Sequence, residues 1–380
     1  MKIVFLSNYF THHQKALSDA LTACCDFAFV ATVPMPQERK TLGWGNDTEP
    51  AYVCQYEREP EFAQEKLRQA DVVIAGSAPE RLVRQCILDN KLVFRYSERP
   101  LKHGIEPLKY LPRLVRWNWR NPPGKPIFLL CASAFAVKDY ACFGLFRGKA
   151  FRWGYFPETR HYQNLQALVE GKRKNSILWA GRLLDWKHPE DAVRVAVELK
   201  KNGVPFDLNI IGTGEREKAL QDRIVRERLE DCVHLLGAMK PEEVRRHMEE
   251  SEIFLFTSDR REGWGAVLNE AMNSGCAAVA SHTIGAVPYL VKDGENGMIY
   301  PSGNVEALYN KVRYLLESPE ERCQIGMNAV KTIAQEWNGE VAARRLVQLI
   351  QAFQTGEAQA LYQTGPCSPA EILEENWYAL

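Results

Sequence analysis

Residues 175–217 read NSILWAGRLLDWKHPEDAVRVAVELKKNGVPFDLNIIGTGERE. NSILWAG is a short apolar run of strand length that ends on glycine. A polar loop follows, then a helical pattern from His188 to Lys201, then a second strand, DLNIIGTG, which also closes on glycines. Strand, loop, helix and strand in this order make a βαβ unit, which requires a parallel sheet covered by helices. The same alternation continues outward. A helix over Glu215–Arg228, the strand VHLLG, a helix near Glu242–Glu250, the strand EIFLFTS, a helix over Ala266–Ser274, the strand AAVAS and a turn-rich GENGMIYPSGN complete this half.

Toward the amino end the pattern repeats. KIVFLS is a strand, NYFTHHQ a loop and KALSDALTAC an amphipathic helix. FAFVATV, DVVIAG, KLVFRYS, PIFLLCAS and AFRWGYF read as further strands, with helical patterns such as EFAQEKLRQA and ERLVRQCIL between them. PLKYLPRLVRWNWRNPPGKP reads as a helix running into a loop. Between Phe156 and Lys174 the chain turns polar, with Pro157, Gly171 and a basic cluster. The expected architecture is α/β, with two Rossmann-like, doubly wound parallel-sheet domains. Residues 1–158 are expected to form the first domain and residues 159–354 the second. The 380-residue length supports two cores, since single cores stop growing near ~250–300 residues. In the tail, Ser368, Pro369 and Glu371 spell a capping box, and Ile372, Leu373, Trp377 and Leu380 an apolar stripe. These signals predict a helix within residues 355–380 that packs back on the first domain.

Lys+Arg and Asp+Glu both number 48, so the net charge is zero. That balance argues against a nucleic-acid binder, whose affinity rests on phosphate neutralisation. The ten cysteines include no C-x-x-C pair and no zinc-finger spacing with histidine. Several, such as Cys131 and Cys276, lie in apolar runs and read as buried thiols of a reducing compartment. The N-terminal apolar stretch is too short for a signal sequence, and no run approaches the ~20 apolar residues of a membrane span. The expectation is a soluble, cytoplasmic protein. The basic stretch Lys102–Arg120 offers a peripheral contact with the inner face of a membrane and with a lipid-linked acceptor there.

The densest chemical signal is REGWGAVLNE, residues 261–270. Gly263 and Gly265 leave backbone amides open just before a helix that carries Glu270. A helix N-terminus offers unpaired N–H groups and a positive dipole end, which suit a phosphate. Eight residues separate Glu262 from Glu270, a span of up to roughly 12 Å at ~1.5 Å per residue. That span fits one nucleotide-diphosphate sugar, with a carboxylate at each end; a surface glutamate beside an ordinary Gly-rich turn is the plain alternative. Arg182 and Lys187 fall in the loop after a strand, where open α/β sheets bind ligands. Arginine grips phosphate bidentately and lysine supplies a point charge. Gly212 and Gly214 match G-x-G-x-x-G only in part, because Glu217 stands at the third glycine position. They read as a tight turn beside a nucleotide or as a plain strand-to-helix turn.

In combination, EGWGAVLNE resembles the E-x7-E motif of retaining glycosyltransferase family 4 (group 1 glycosyltransferases). GRLLDWKHPEDAV resembles that family's G-R-x-x-x-x-K segment and GTGERE its G-x-G turn, although Glu215 replaces a frequent proline. SGCAAVASHTIGAVPYLVKDGENGMIYPSGN and EWNGEVAARRL resemble the strand, loop and helix that follow. The resemblance covers most of residues 175–350 and implies the GT-B fold, with two domains facing a central cleft, residues 1–158 as the acceptor domain and residues 159–354 as the nucleotide-sugar donor domain. It implies that Arg182 and Lys187 neutralise the diphosphate and that Glu270 holds the ribose. It further implies that Glu262 contacts the donor sugar, with the amides of Gly263, Trp264 and Gly265 near sugar and phosphate. Transfer of a sugar from a UDP- or GDP-linked donor to a hydroxyl acceptor, with retained anomeric configuration, is the implied reaction, in polysaccharide or glycoconjugate synthesis. D-x-D occurs nowhere in the sequence, so neither a metal nor another cofactor is expected.

In the amino half, His13, with His12 beside it, is the candidate for handling an acceptor proton, given an unperturbed pKa near ~6.5. Capping of the following helix is the alternative. His103 with Glu98 and Arg99, then Lys138 and Asp139, are further cleft candidates. Trp117 and Trp119 are either an acceptor platform or buried packing. Two other functional classes remain open on the same scaffold: a nucleotide-sugar epimerase or hydrolase, and a non-catalytic nucleotide-sugar-binding protein.

Overall fold

The computed structural model describes residues 1–37, 45, 49–356 and 361–378. The chain divides into two compact units, Met1–Glu158 with Asn338–Glu375, and Thr159–Trp337 with Asn376–Leu380. In the first unit the strands are β1 (Lys2–Ser7), β2 (Asp26–Ala31), β3 (Val53–Gln55), β4 (Val72–Ala75), β5 (Leu92–Ser97), β6 (Ile127–Cys131) and β7 (Ala150–Arg152). They pair in parallel in the order β3-β2-β1-β4-β5-β6-β7. Helix His12–Cys24 follows β1 and is covered by helix Gly339–Thr355, where Gly339 meets the backbone of Ala16 too closely to admit a side chain.

The second unit holds β8 (Arg173–Ala180), β9 (Asp207–Ile211), β10 (Val233–Gly237), β11 (Ser251–Phe256), β12 (Ala277–Ser281) and β13 (Met298–Tyr300), again all parallel. Their order is β10-β9-β8-β11-β12-β13. β8 therefore lies between the strand that follows it and the third strand after it, so the crossovers reverse direction between β8 and β11. Ligands of doubly wound sheets bind at such a reversal, outside the carboxyl ends of the strands. β11 is buried at every position, as the unbroken apolar run IFLF requires of a strand covered on both faces.

Two expectations are corrected. Helix Gly339–Thr355, most of which had been expected in the donor domain, belongs to the first unit. The tail is not helical over its described residues, 361–378, and Leu380 lies outside them. Ser368 is buried, and its hydroxyl donates to the Gly365 carbonyl instead of capping a helix. The backbone of Cys367–Ala370 instead runs antiparallel beside β7. Cys367 N–H donates to Arg152 O (2.8 Å), Arg152 N–H to Ser368 O (2.7 Å) and Ala370 N–H to Ala150 O (2.9 Å). Three strand-type bonds on an open sheet edge outweigh one local capping box, which contributes roughly 1 kcal/mol. No helix among the described residues is long and apolar enough to cross a membrane.

Candidate functional site

The loops after β8, β9 and β11 converge at the reversal of the second sheet. Their main chains are laced together. Asp259 N–H donates to Trp186 O (3.0 Å), the Thr257 hydroxyl to Lys187 O (2.7 Å) and Leu183 N–H to Thr213 O (2.9 Å). The indole N–H of Trp179, on β8, in turn reaches Thr257 Oγ1 at 2.9 Å. These contacts leave little room between loops, which explains the glycines of GTG. A Cβ on Gly212 (φ +136°) would be driven into the Gly181 carbonyl oxygen. One on Gly214 would lie 2.5 Å from the Leu183 carbonyl oxygen. The turn is glycine-rich because backbone packs on backbone there.

Within this frame Lys187 and Glu262 meet. Their ammonium and carboxylate are 2.5 Å apart, both largely shielded from water, and Ser258 Oγ donates to the same carboxylate oxygen at 3.1 Å. The Lys187 ammonium also sits 4.6 Å from the Trp186 ring centre. Arg182 is exposed, and its guanidinium makes no contact with a polar group among the described residues. Gly265 has φ +89° and lies tight against the Phe256 ring, so a side chain there would disturb the turn that starts helix Ala266–Asn273. The amides of Gly263, Trp264 and Gly265 precede that helix and donate to no group among the described residues. The carbonyls of Glu262 and Trp264 are held by Gly285 and Ala286 N–H (both 3.3 Å). The Trp264 indole is buried, donates to Asn269 Oδ1 (2.9 Å) and packs on Trp337, so only its backbone is available to a ligand.

Glu270 follows one turn into the helix. Burial pushes its carboxyl up, and the nearby Arg245 and Arg160 partly offset this. Asn273 links these two arginines: its side-chain oxygen accepts from Arg160 N–H (2.8 Å) and from the Arg245 guanidinium. A second charged system was not foreseen from the sequence. Asp259 accepts from Arg261 (2.7 Å) and contacts His188 Nε2 (3.3 Å). Arg261 also reaches Asp185 (3.3 Å), which pairs with Arg216. Hydrogen bonds to Asp259 and Glu190 push His188 up to about 10, so it is an imidazolium at neutral pH. Burial raises Asp259, but hydrogen bonds from His188 and Arg261 outweigh it and hold the carboxyl below its ordinary range. His188 adopts φ +46°, a left-handed conformation uncommon outside glycine, asparagine and aspartate. The residue types DWKH, GER and SDRR were the only hint of this network, and nothing local to each loop says that they meet.

Residues 163–332 match the family model for glycosyl transferases, group 1. Over this segment the chain is similar to the group 1 glycosyltransferases. The amylovoran biosynthesis glycosyltransferase AmsK of Erwinia amylovora is 31% identical over 205 residues, 53% of this chain and 49% of the relative. This chain spans about half the length of the curated relatives it matches. Among solved structures, HepE of Anabaena in complex with UDP superposes with a TM-score of 0.69. It shares 16% identity and covers 93% of this chain and 100% of its own. The pneumococcal O-GlcNAc transferase GtfA, in complex with UDP and GlcNAc, gives a TM-score of 0.67 at 11% identity, covering 93% and 99%. At such identities the likeness carries the fold, two parallel-sheet α/β units of GT-B type.

The matched segment contains Arg182, Lys187, Gly212, Gly214, Glu262, Gly263, Trp264, Gly265 and Glu270. The remaining candidates lie in the first unit. His12 and His13 open helix His12–Cys24 with ring centres 3.9 Å apart. Thr11 is the N-cap, and its N–H donates to Gln14 (2.8 Å). His103 is exposed. Glu98 holds Lys102 (2.5 Å) and the Tyr155 hydroxyl (3.0 Å). Arg99 is buried between Asp139 (3.1 Å) and Glu375 (2.5 Å), and Lys138 pairs with Glu374 (2.7 Å), so these charges fasten the tail. Trp117 is core, while Trp119 is half exposed with Arg84 stacked 4.1 Å from its ring centre.

Proposed function

We propose that this chain transfers a sugar from a UDP- or GDP-linked donor to a hydroxyl of a saccharide or lipid-linked saccharide, in polysaccharide or glycoconjugate synthesis. The observation that carries the reading is one cradle at the sheet reversal. There an unengaged guanidinium, an ammonium, three open amides and a helix N-terminus come from two adjacent loops. Such a cradle suits a pyrophosphate. The glycosidic carbon–oxygen bond breaks and its electron pair passes to the pyrophosphate. Arg182, Lys187 and the amides of Gly263, Trp264 and Gly265 disperse that charge. Glu262 orients the donor sugar and Glu270 the ribose. The acceptor oxygen forms the new bond to the anomeric carbon on the face the leaving group vacates, which retains the configuration. The acceptor proton passes to His13 or to the departing phosphate. The transfer needs no metal, so chelation with EDTA leaves turnover unchanged. The relative named for amylovoran biosynthesis and the UDP-bound neighbours agree with this reading.

The test is a thermal-shift screen of UDP- and GDP-sugars, followed by turnover of the stabilising donor with and without saccharide acceptors. A higher melting temperature, with nucleotide released only when an acceptor is present, supports transfer. Rapid donor conversion without acceptor points instead to an epimerase or hydrolase. Binding without turnover across the acceptor panel points to a binding protein.

A further inference from the structure

Helix Pro107–Arg120 carries an exposed apolar face, on which only the Trp119 end is partly covered, by Arg84 stacked 4.1 Å from its ring centre. Leu108 is 95% exposed, Leu111 67%, Val115 69% and Trp119 50%. Steps of three and four residues stack these side chains into one stripe along the outer face. The opposite face is anchored. Trp117 is buried against Phe143 and Tyr140, Tyr110 stacks on Phe143, and the Tyr110 hydroxyl donates to Cys142 O (3.0 Å). The helix is thus fixed to its unit with its apolar stripe turned outward. Scattered apolar residues are ordinary on a surface, but four in register on one helix are a patch.

The charges beside the stripe distinguish its occupant. From Lys102 to Arg120 the segment holds Lys102, Lys109, Arg113, Arg116 and Arg120 against one acid of its own, Glu106, although the whole chain is neutral. Glu106 pairs with Lys109 (2.5 Å) and Arg113 (3.1 Å), Glu98 with Lys102 (2.5 Å) and Glu80 with Arg120 (3.3 Å), and Arg116 forms no ion pair among the described residues. On a helical projection Lys109, Arg113, Arg116 and Arg120 flank the stripe along one side. An apolar stripe bordered by Lys and Arg complements the acyl boundary and the anionic headgroups of a bilayer. We infer that helix Pro107–Arg120 docks the protein peripherally on an anionic membrane. Leu108, Leu111, Val115 and Trp119 insert at the headgroup boundary, and the flanking basic residues bind lipid phosphates. The inference is independent of the sugar-transfer reading, because it concerns a surface of the first unit that contains none of the donor-binding residues.

The test is co-sedimentation of the full chain with vesicles of phosphatidylethanolamine and phosphatidylglycerol, compared with pure phosphatidylcholine. Wild type should pellet with the anionic vesicles at least tenfold more strongly, and 0.5 M salt should weaken that binding. Leu108→Asp with Val115→Asp should reduce anionic binding at least tenfold without lowering the melting temperature, since both side chains are exposed. Arg116→Glu should reduce it severalfold and flatten the salt dependence. Wild type that stays in the supernatant with anionic vesicles would overturn the inference. So would equal pelleting of the Asp double variant. A concentration-dependent dimer in sedimentation velocity, abolished by the double variant, would assign the stripe to a second copy of the chain instead.

Discussion

Replacing Glu262 by glutamine should tighten the binding of a bare nucleoside diphosphate while nearly abolishing sugar transfer. The Glu262 carboxylate sits 2.5 Å from the Lys187 ammonium. A phosphate oxygen that engages the same ammonium at ~2.8 Å can lie no more than about 5 Å from that carboxylate. The repulsion between one phosphate charge and the carboxylate is then about 3 kcal/mol at an effective dielectric of ~20, and about 1 kcal/mol in bulk water. Glutamine removes this repulsion and retains an oxygen for Ser258 and for sugar hydroxyls. It also leaves a mostly buried ammonium without its counter-charge, which costs the ligand-free protein roughly 3 kcal/mol. A diphosphate supplies that missing charge, so both effects act in the same direction. Isothermal titration of UDP and GDP should show at least fivefold tighter binding of the preferred nucleotide to Glu262→Gln, with a lower melting temperature before ligand is added. Turnover should fall at least a hundredfold if Glu262 orients the donor sugar as proposed, since that contact would be weakened in the transition state. Equal or weaker nucleotide binding by the variant would refute the placement of the phosphate on Lys187.

Arg182→Ala should lower nucleotide affinity ten- to a hundredfold and reduce the salt dependence measured by the same titration, since an exposed guanidinium acts through charge. Gly212→Ala should cost more than ~4 kcal/mol in urea unfolding, because its methyl group would meet the Gly181 carbonyl at a backbone angle unsuited to alanine; a loss under ~1 kcal/mol would contradict the packing of the two loops. The folded pKa of His188, about 10, lies above its ordinary value of 6.5. Its contribution to stability is therefore complete below pH 6.5 and lost as pH rises toward 10. His188→Asn, which tolerates the left-handed backbone, should flatten the decline in melting temperature between pH 6.5 and 10. Arg99→Met should destabilise by ~3 kcal/mol, since it strands buried Asp139 and releases Glu375. Limited proteolysis should then cleave within residues 361–378.

The second sheet was legible because its strands are short apolar runs closed by glycine, as in SILWAG and LNIIGTG, and their loops carry charge at fixed offsets. β13 was harder to see, since three apolar residues lie inside the turn-rich GENGMIYPSGN. Helices Val305–Glu317 and Pro319–Gln335 adjoin across Ser318, and the second has Gly326 in its interior. Glycine weakens a helix interior, yet it is required here because a Cβ would meet the Gly275 carbonyl oxygen at 2.5 Å. The tail failed for a related reason. Ser368 and Glu371 form a sound local signal, but β7 presents an open edge that only the folded sheet reveals. Arg182, Lys187, Glu262 and Glu270 could be picked out by residue type and spacing. The network of Asp185, His188, Arg216, Asp259 and Arg261 could not, because strand order alone brings the three loops together.

The division of the chain also bears on how it emerges from the ribosome. The first unit is closed by helix Gly339–Thr355 and by the edge strand near Ser368, both made after the entire second sheet. During synthesis β1 and its helix must wait, with Ala16 and Leu17 uncovered, until some 320 later residues have been added. The carboxyl-terminal sheet has every one of its strands in hand by Tyr300 and is free to fold first. Nascent chains of this protein should acquire protease resistance from the middle outward, and an isolated fragment 1–158 should aggregate where fragment 159–337 stays folded.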